Sequence, residues 1–138
     1  MPYNPQLKEE TAREKAKEGN GKTPRMGCWN VRSLNKVGKL EEVKREMKRY
    51  RLNILGISEV RWKGQGDFDS DGVRVIYSGG NECQRGIAVM LDGEVAKRVT
   101  CVEQVSDRIL AVKISTLPVD MLIVQIYMPT TDYEDEEF

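Results

Sequence analysis

A strand–helix–strand pattern near the start of the chain constrains its fold more than any other feature. A short apolar run at residues 26–31 precedes an amphipathic stretch from Gly38 to Arg51, and a second apolar run covers Asn53 to Ser58. In the middle stretch, large apolar residues recur at the spacings of one helical face; they are Leu40, Val43, Met47 and Tyr50. Two strands joined by a helix form a right-handed crossover, so we expect them to be parallel neighbours in one sheet.

The sequence after Trp62 alternates in the manner of antiparallel strands. Apolar and polar residues alternate from Val73 to Tyr77, and Gly79-Gly80-Asn81 provides a turn. Asp92-Gly93 is a dipeptide typical of a hairpin turn. Further strands are predicted at Gly86–Leu91, Val95–Val105, Asp107–Ser115 and Val119–Tyr127. The predicted fold class is α/β (α+β), with one mixed sheet that has a βαβ start followed by an antiparallel meander.

The distribution of charge divides the chain of 138 residues into a leader and one domain. Residues 1–25 carry six basic and four acidic side chains and almost no large apolar ones. Such a segment cannot bury enough surface to offset its ordering entropy, which predicts a disordered leader. Residues 26–138 are predicted to form the domain. Up to residue 131 it holds 16 basic and 13 acidic residues, a mild excess that is compatible with a polyanionic partner.

The cysteines argue against an oxidising compartment. The chain has three of them, Cys28, Cys83 and Cys101, without a CxxC pair. Neither a disulfide framework nor a zinc knuckle is therefore expected. No apolar run is long enough for a signal sequence or a membrane span. The predicted localisation is nuclear or cytoplasmic and not secreted, without a membrane partner.

Polar residues follow the two predicted parallel strands, at the sheet edge where ligands bind in open α/β sheets. Asn30 lies in the loop after the first strand, and Glu59 lies in the loop after the second. A later apolar strand ends at Tyr127 and could reach the same edge. Taken alone, Asn30 is typical of a turn or cap, and Glu59 is typical of an exposed strand end.

Five motifs, taken in order, make the chain similar to a known family. They are WNVRSLN, ILGISEVRW, GIAVML, DRILAVKI and VQIYMP. Together they resemble the endonuclease/exonuclease/phosphatase superfamily, and especially the apurinic-endonuclease-like domain of non-LTR retrotransposons. The resemblance covers the chain from about Gly27 onward. It implies a partial four-layer α/β sandwich, of which the chain would hold the N-terminal half.

The resemblance also implies roles for individual residues. Glu59 matches the metal-binding glutamate of the family, and Asn30 matches the asparagine that helps to hold the metal and the phosphate. Tyr127 matches the tyrosine that contacts the scissile phosphate, and Arg108 matches an arginine on the substrate side. Mg²⁺ is the implied cofactor, with Mn²⁺ as an alternative, and DNA is the implied partner of the complete domain. Mg²⁺ keeps most of its waters, so one glutamate is sufficient protein ligation.

The remaining catalytic residues of the family have no counterpart in this sequence. The family places an Asp-x-Asn pair and a closing Asp–His pair in its C-terminal half, and the chain contains no histidine. We therefore expect a truncated domain, a fragment of a Mg-dependent DNA endonuclease that is inactive alone. An apolar sheet face would be left for a protein partner. The alternatives are a non-catalytic module that binds protein or nucleic acid, and a retroelement remnant without a selected role.

Three further features have ordinary explanations beside functional ones. Trp62 could stack on a nucleic-acid base, but packing is the better explanation. Trp29 is expected in the core. The basic surface of the predicted helix, from Lys44 to Arg51, could contact nucleic acid but is typical of a solvated helix face.

Overall fold

A computed structural model of the protein describes residues 23–128, which form two β-sheets and two helices. The first sheet has five strands in the order β1-β2-β5-β4-β3. These strands are β1 (Met26–Asn30), β2 (Ile54–Ser58), β3 (Gln65–Ser70), β4 (Val73–Ser78) and β5 (Ile87–Leu91). β1 and β2 are parallel, and the other neighbouring pairs are antiparallel. The parallel pair predicted from the strand–helix–strand pattern is thus confirmed.

A helix joins the two parallel strands. It is α1 (Lys39–Arg49), slightly shorter than the predicted stretch. Gly38, directly before it, has a φ of 79°, a left-handed conformation that glycine adopts without steric cost. Val43 and Met47 are buried against the sheet, as the apolar spacing predicted.

The second sheet has three antiparallel strands in the order β6-β7-β8. They are β6 (Val99–Gln104), β7 (Ile109–Ile114) and β8 (Met121–Ile126). This sheet packs on the face of the first sheet that lies opposite α1. The described residues therefore form three layers: a helix, a five-stranded mixed sheet and a three-stranded antiparallel sheet. The predicted α/β class is confirmed.

The expectation of one continuous sheet is wrong, because the last three strands of the meander form a separate sheet. Asp92 and Gly93 do not form a hairpin turn. Asp92 instead caps a short helix, α2 (Gly93–Ala96), and its Oδ1 accepts a hydrogen bond from the backbone N–H of Val95 at 2.9 Å. Aspartate suits a helix cap as well as a turn. The helix leads the chain from β5 into the second layer, so β6 begins at Val99 and not at Val95.

The strand β3 was missed by the sequence analysis. Its sequence, QGDFDS, is mostly polar and lacks the β-branched residues typical of strands. It lies at the edge of the first sheet and pairs only with β4. A bidentate contact supports this pairing, in which Arg74 donates to the two carboxylate oxygens of Asp67 at 2.8 and 2.6 Å.

The strand β2 is buried on both of its faces. Leu55 and Ile57 belong to an apolar cluster with Val43 of α1, whereas Ile54 belongs to a second cluster between the two sheets. Successive residues of a strand point to opposite faces, so two-sided burial requires a nearly continuous apolar run. The sequence ILGIS of β2 meets this requirement.

The two sheets approach each other closely at Gly56. A Cβ atom at this position would collide with the side-chain carboxamide of Gln125 on β8. The absence of a side chain is therefore needed for the packing of the sheets. This contact places the end of β8 over the middle of β2.

The two ends of the chain lie outside the described residues, namely 1–22 and 129–138. The predicted leader is not tested there. Arg25, which the sequence analysis assigned to the leader, is part of the fold. Its N–H donates to Oδ1 of Asn53 at 2.8 Å, and its carbonyl accepts from the N–H groups of Asn53 and Ile54.

The described residues contain three free thiols and no membrane-spanning helix. Cys28, Cys83 and Cys101 are all exposed, and none forms a disulfide. Neither α1 nor α2 is long and apolar enough to cross a bilayer.

Lys44 links α1 to the turn between β3 and β4. Its Nζ lies 2.7 Å from Oε1 of Glu41 and 3.0 Å from Oδ2 of Asp71, and it donates to the hydroxyl of Ser70 at 2.8 Å. The hydrogen bond to Glu41 is the main cause of a Lys44 pKa above its ordinary value of 10.5. Burial acts in the opposite direction, and Asp71 raises the pKa further.

Replacement of Lys44 by methionine should lower the free energy of unfolding at neutral pH, by about 1 kcal/mol or less from the lost ion pairs. A lysine whose pKa is raised in the folded state stabilises the fold below its unfolded pKa. The difference between wild type and Lys44→Met should therefore shrink as the pH rises above 10.5. Urea unfolding of both proteins, at a series of pH values from neutral to strongly alkaline, measures this difference in the free energy of unfolding. Lys36→Met serves as the control, and a pH-independent difference would contradict the prediction.

Truncation of Ile57 should be strongly destabilising. The Ile57 side chain is fully buried between α1 and the first sheet. We expect Ile57→Ala to lower the free energy of unfolding by about 2–5 kcal/mol in urea denaturation. Val37→Ala, at a fully exposed position, should change it by less than about 0.5 kcal/mol. Equal effects of the two substitutions would argue against the described core.

Candidate functional site

Two loops meet at the carboxyl ends of the parallel strands. One follows β1 and the other follows β2, and backbone hydrogen bonds join them. Val31 donates to the carbonyl of Ser58 at 3.2 Å, and Leu34 donates to the carbonyl of Val60 at 2.8 Å. The side chain of Asn35 adds a bond from Nδ2 to the carbonyl of Arg61 at 2.6 Å. These two loops therefore form one connected unit.

The loop after β2 is also fixed from its other side. The N–H groups of Val60 and Arg61 donate to the carbonyls of Gly86 and Arg85, at 3.1 and 2.9 Å. Gly86 immediately precedes β5, the antiparallel neighbour of β2. The backbone that carries Glu59 is thus held between the first loop and the start of β5.

Backbone strain is concentrated in these two loops. Glu59 and Arg61 have φ values of 58° and 61°, and Arg32 and Ser33 have φ values of 55° and 116°. Residues other than glycine rarely adopt this left-handed backbone conformation. Each residue held in it lowers the stability of the fold by about 1–3 kcal/mol. Among residues 23–128, only Arg51 and Asp71 share this feature outside the two loops. Strain of this kind persists where the surroundings determine the conformation, and it is frequent at functional sites.

The carboxylate of Glu59 faces the second sheet. The hydroxyl of Tyr127, directly after β8, donates to Oε1 of Glu59 at 3.3 Å. Tyr127 is buried, and the Glu59 side chain keeps 17% of its surface exposed. Two of the residues predicted from the sequence are therefore brought together, and the carboxylate remains accessible to a ligand.

Arg61 is a neighbour of Glu59 that the sequence analysis did not select. Its Nη2 lies 4.0 Å from Oε2 of Glu59, and its side chain is 41% exposed. An ion pair of this length and exposure contributes little to stability. Arg61 belongs to the SEVRW motif, and its charge beside the glutamate was the signal that could have identified it.

Asn30 lies at the same edge of the sheet. It ends β1 and pairs in register with Ser58, the residue before Glu59. Its Oδ1 accepts a hydrogen bond from the backbone N–H of Arg32 at 3.2 Å, which is the local turn contact typical of asparagine. The side chain is exposed, and no contact with Glu59 joins the two.

Arg108 reaches the site through its backbone only. Its carbonyl accepts a hydrogen bond from the N–H of Tyr127 at 2.9 Å, and its own N–H donates to the hydroxyl of Ser106. The Arg108 side chain is exposed at the start of β7. The fold thus places Arg108 beside Tyr127 but does not direct it onto Glu59.

The aromatic residue of the second motif packs within the fold. The ring of Trp62 lies edge-on to Tyr77, with centroids 5.0 Å apart, and 6.0 Å from the ring of Phe68. This arrangement supports the packing explanation for Trp62. Trp29, which was expected in the core, is half-buried against the cluster beneath α1, with Nζ of Lys39 5.6 Å from its ring.

A cavity of about 600 Å³ lies at the opposite end of β2, away from Glu59. It is bordered by α1 and by residues next to the strand ends, among them Arg45, Lys48, Asn53 and Asp92. Within residues 23–128, no three His, Cys, Asp or Glu side chains gather as a metal site. The Glu59 site therefore offers a single carboxylate on an open sheet edge.

Sequence comparison identifies longer relatives. No protein-family model matches the chain. The chain is 37% identical over 113 residues to craniofacial development protein 2 of Bos taurus, a match that covers 81% of this chain and 19% of that protein. Identity to craniofacial development protein 2 of Tragulus javanicus is 35% over 113 residues, which cover 81% and 20%. The chain thus spans about a fifth of the length of these relatives.

Structural comparison identifies nucleases and a phosphatase. An AP endonuclease from Leishmania major matches 74% of this chain and 39% of its own, with a TM-score of 0.57 and 14% identity. A 3′ phosphatase from Neisseria, bound to product DNA hairpin, matches 83% and 48%, with a TM-score of 0.56 and 18% identity. An AP endonuclease from Archaeoglobus fulgidus matches 83% and 46%, with a TM-score of 0.56 and 20% identity.

The sequence and structural comparisons agree in one respect. The relatives are similar in sequence over most of this chain, and the solved structures are similar to it in fold. In every case the match covers less than half of the compared protein. The resemblance drawn from the five motifs is thereby confirmed for the endonuclease/exonuclease/phosphatase type of fold. The chain is similar in sequence to part of craniofacial development protein 2 and carries part of a fold of the AP endonuclease/exonuclease/phosphatase type.

Proposed function

We propose that Glu59, Asn30 and Tyr127 form the metal- and phosphate-binding part of a Mg-dependent DNA endonuclease site of the retrotransposon type. The observation that carries this proposal is the hydrogen bond from the Tyr127 hydroxyl to Oε1 of Glu59, at 3.3 Å. It joins residues 68 positions apart in the chain, from different sheets. Glu59 belongs to the ILGISEVRW motif and Tyr127 to the VQIYMP motif, so the two motifs meet at this bond.

The chemistry of Glu59 fits a hard divalent cation. Mg²⁺ prefers oxygen ligands, keeps several of its waters and needs only one or two carboxylates from the protein. Glu59 supplies one partly exposed carboxylate, and the Asn30 carboxamide at the same edge would help to hold the ion. When bound, Mg²⁺ would polarise a phosphoryl group. Mn²⁺, which takes similar ligands, would serve in the same position.

The side chains around Glu59 suit a phosphodiester. Tyr127 and Asn30 carry neutral hydrogen-bond donors, which can orient phosphate oxygens without adding repulsive charge. Arg108, exposed beside Tyr127, would contact the substrate strand. Arg61 would either neutralise Glu59 or turn toward a phosphate, since its 4.0 Å contact is long.

DNA is the proposed substrate of the complete domain. The Neisseria 3′ phosphatase that shares the fold was solved with product DNA hairpin. The mild basic excess of residues 26–131 is compatible with this class of partner. The assignment to the retrotransposon type rests on the similarity of the WNVRSLN and SEVRW motifs to that group of domains. A nuclear or cytoplasmic location remains part of the proposal.

We expect no turnover by this chain alone. It contains no histidine, and residues 23–128 present no further acidic cluster beside Glu59. The family pattern assigns activation of the attacking water and stabilisation of the leaving group to an Asp-x-Asn pair and an Asp–His pair. With Glu59 engaged by the metal and Tyr127 by the phosphate, neither is left to serve as the general base or acid.

A non-catalytic binding module is the second candidate. It is favoured by one observation, an exposed apolar stripe on β8, which has no role in the proposed metal site. This candidate predicts that partner binding is independent of both Glu59 and magnesium.

Substitution of Glu59 by glutamine should weaken divalent-metal binding by about 10-fold or more, because the site loses its carboxylate. Titration with Mn²⁺, followed by electron paramagnetic resonance of the free ion, measures the affinity. Glu103→Gln changes the charge equally at an exposed position of β6 and should leave the affinity unchanged. Equal Mn²⁺ affinity in wild type and Glu59→Gln would overturn the proposed metal site.

A supercoiled-plasmid assay in Mg²⁺ tests the expected inactivity. We predict no nicking above background by wild type or by Glu59→Gln. Nicking by wild type that disappears in Glu59→Gln would refute the inactivity and would show that Glu59 and its neighbours suffice for cleavage. The metal titration is separate, so the two parts of the proposal fail independently.

A further inference from the structure

An arginine is buried without a partner at the end of the sandwich where β2 begins, opposite Glu59. Arg98, directly before β6, keeps only 6% of its surface exposed. Its side chain forms no ion pair and no hydrogen bond within residues 23–128. A buried charge is unfavourable unless an opposite charge or hydrogen bonds compensate for it. No described residue provides the compensation that the burial of Arg98 requires.

The position of Arg98 is set by its backbone. Its N–H donates to the carbonyl of Val95 at 2.9 Å, and its carbonyl accepts from the N–H of Ser115 at 2.9 Å. The next residue, Val99, is buried in the core between the two sheets. The packing of the fold, and not an attraction of its charge, therefore keeps Arg98 buried.

Arg98 lines a cavity of about 330 Å³ between residues 23–25 and α2, named here the Arg98 cavity. None of the guanidinium nitrogens of Arg98 is fully enclosed. The small accessible surface of this side chain therefore includes its charged group. The charge of Arg98 is thus accessible to a ligand in the cavity.

A second arginine lines the Arg98 cavity. Arg25 is fixed by its backbone, which donates to Oδ1 of Asn53 and accepts from the N–H groups of Asn53 and Ile54. Its side chain is exposed and forms no ion pair within the described part of the chain. Thr23 adds a hydroxyl group to the lining. Guanidinium and hydroxyl groups are donors that suit an anion with several oxygen atoms.

The acidic residue of the Arg98 cavity neutralises neither arginine. Glu94 is largely exposed, and its Oε1 lies 3.7 Å from Nζ of Lys97. Neither Arg25 nor Arg98 forms an ion pair with Glu94. The lining of the cavity therefore carries positive charge that no described carboxylate balances.

The cavity of about 600 Å³ beside α1 adds to this positive charge. The two cavities share Asn53, so they lie side by side at the start of β2. Glu41 and Asp71 of the larger cavity both contact Lys44. Its third acidic residue, Asp92, accepts a hydrogen bond from Nδ2 of Asn53. The other cations of its lining form no ion pair within residues 23–128; they are Arg45, Lys48 and Arg51.

The charge balance of the two cavities favours phosphate over a carboxylate. Their linings together hold six basic and four acidic side chains, an excess of two positive charges. A phosphate monoester carries about −1.5 to −2 charges at neutral pH and three strong acceptor oxygens. A carboxylate carries one charge and two oxygens. The guanidinium group matches the geometry of both, so the number of charges decides between them.

We propose that the Arg98 cavity binds a phosphate group, either as the free ion or as the monoester of a small molecule. Arg98 and Arg25 contact the phosphate, and the larger cavity has room for the organic part of a monoester. Asn53 and Glu59 lie at opposite ends of β2, about 20 Å apart along the strand. The inference therefore does not rest on the metal site.

The alternative explanation is that Arg98 packs its methylene groups in the fold and extends its guanidinium group to solvent. Its charge would then need no ligand. Phosphate would have no effect on the protein beyond the general effect of a salt, and replacement of Arg98 would leave that effect unchanged.

Isothermal titration of the full chain in EDTA tests the site with inorganic phosphate, adenosine 5′-monophosphate and adenosine. We expect saturable one-to-one binding of phosphate or of the monophosphate, and no binding of adenosine. Tighter binding of the monophosphate would identify the monoester as the ligand class, and binding of phosphate alone would identify the free ion.

Substitutions locate the bound phosphate. Arg98→Met should weaken binding by about 10-fold or more, because charge-assisted hydrogen bonds are lost while the apolar stem is kept. Arg25→Met, at an exposed position, should weaken it in the same direction and keeps the test valid if Arg98→Met does not fold. Arg49→Met removes an exposed arginine outside both cavities and should change the affinity less than about 2-fold. Circular dichroism verifies the folding of each variant.

Thermal unfolding provides a second readout. At equal ionic strength, phosphate should raise the Tm of wild type more than that of Arg98→Met, because a ligand that binds only the folded state stabilises it. Absence of saturable binding, or equal affinity in wild type, Arg98→Met and Arg25→Met, would overturn the proposal. So would equal affinity for adenosine and its monophosphate, or binding of succinate as tight as that of phosphate. Loss of phosphate binding in Glu59→Gln would also overturn it, in favour of the metal site.

Discussion

The burial of β2 on both faces is the constraint on which the rest of the structure depends. Its side chains point alternately to α1 and to the second sheet, so a single five-residue strand contributes to both apolar clusters. A strand in this position cannot shift by one residue without exchanging its two faces. The register with β1 on one side and β5 on the other is therefore fixed, and the place where β2 ends is fixed with it. That end is Ser58, directly before Glu59.

The geometry of the candidate site follows from this fixed end. The parallel neighbour brings Asn30 to the same edge, and the contact between Gln125 and Gly56 brings Tyr127 over it. The unusual backbone of Glu59 then directs its carboxylate toward the second sheet. The helix, both sheets and two strained loops thus contribute to the position of one carboxylate. A rigid framework that carries its polar groups on loops is common in binding sites.

Much of this arrangement could be predicted from the sequence. The prediction succeeded where a residue pattern is compatible with only one kind of secondary structure. The spacing of Val43 and Met47 allows only a helix face, and the uninterrupted apolar run of β2 predicts a buried strand. Asn30, Glu59 and Tyr127 were selected by motif, but their proximity depends on two sheets meeting, which no local pattern encodes. The predicted hairpin at Asp92 was wrong because aspartate and glycine serve a helix start equally well.

Other features were hidden because tertiary contacts decide them. The segment β3 has a polar sequence, and it forms a strand because it pairs with β4. Glu59 and Arg61, whose charged groups lie 4.0 Å apart, both adopt left-handed backbone angles, which residue type does not reveal. The chain passes from the first sheet to the second at the short helix that Asp92 caps. A helix at this point, in place of the predicted hairpin, therefore puts the last three strands in a separate layer.

The left-handed conformation of Glu59 has a consequence for how this position would change over generations. Glycine or asparagine would satisfy the backbone there better than glutamate does. Loss of the carboxylate to either residue would therefore relieve the backbone while removing the charge. Glutamate at position 59 is thus a residue that the stability of the backbone alone would not select.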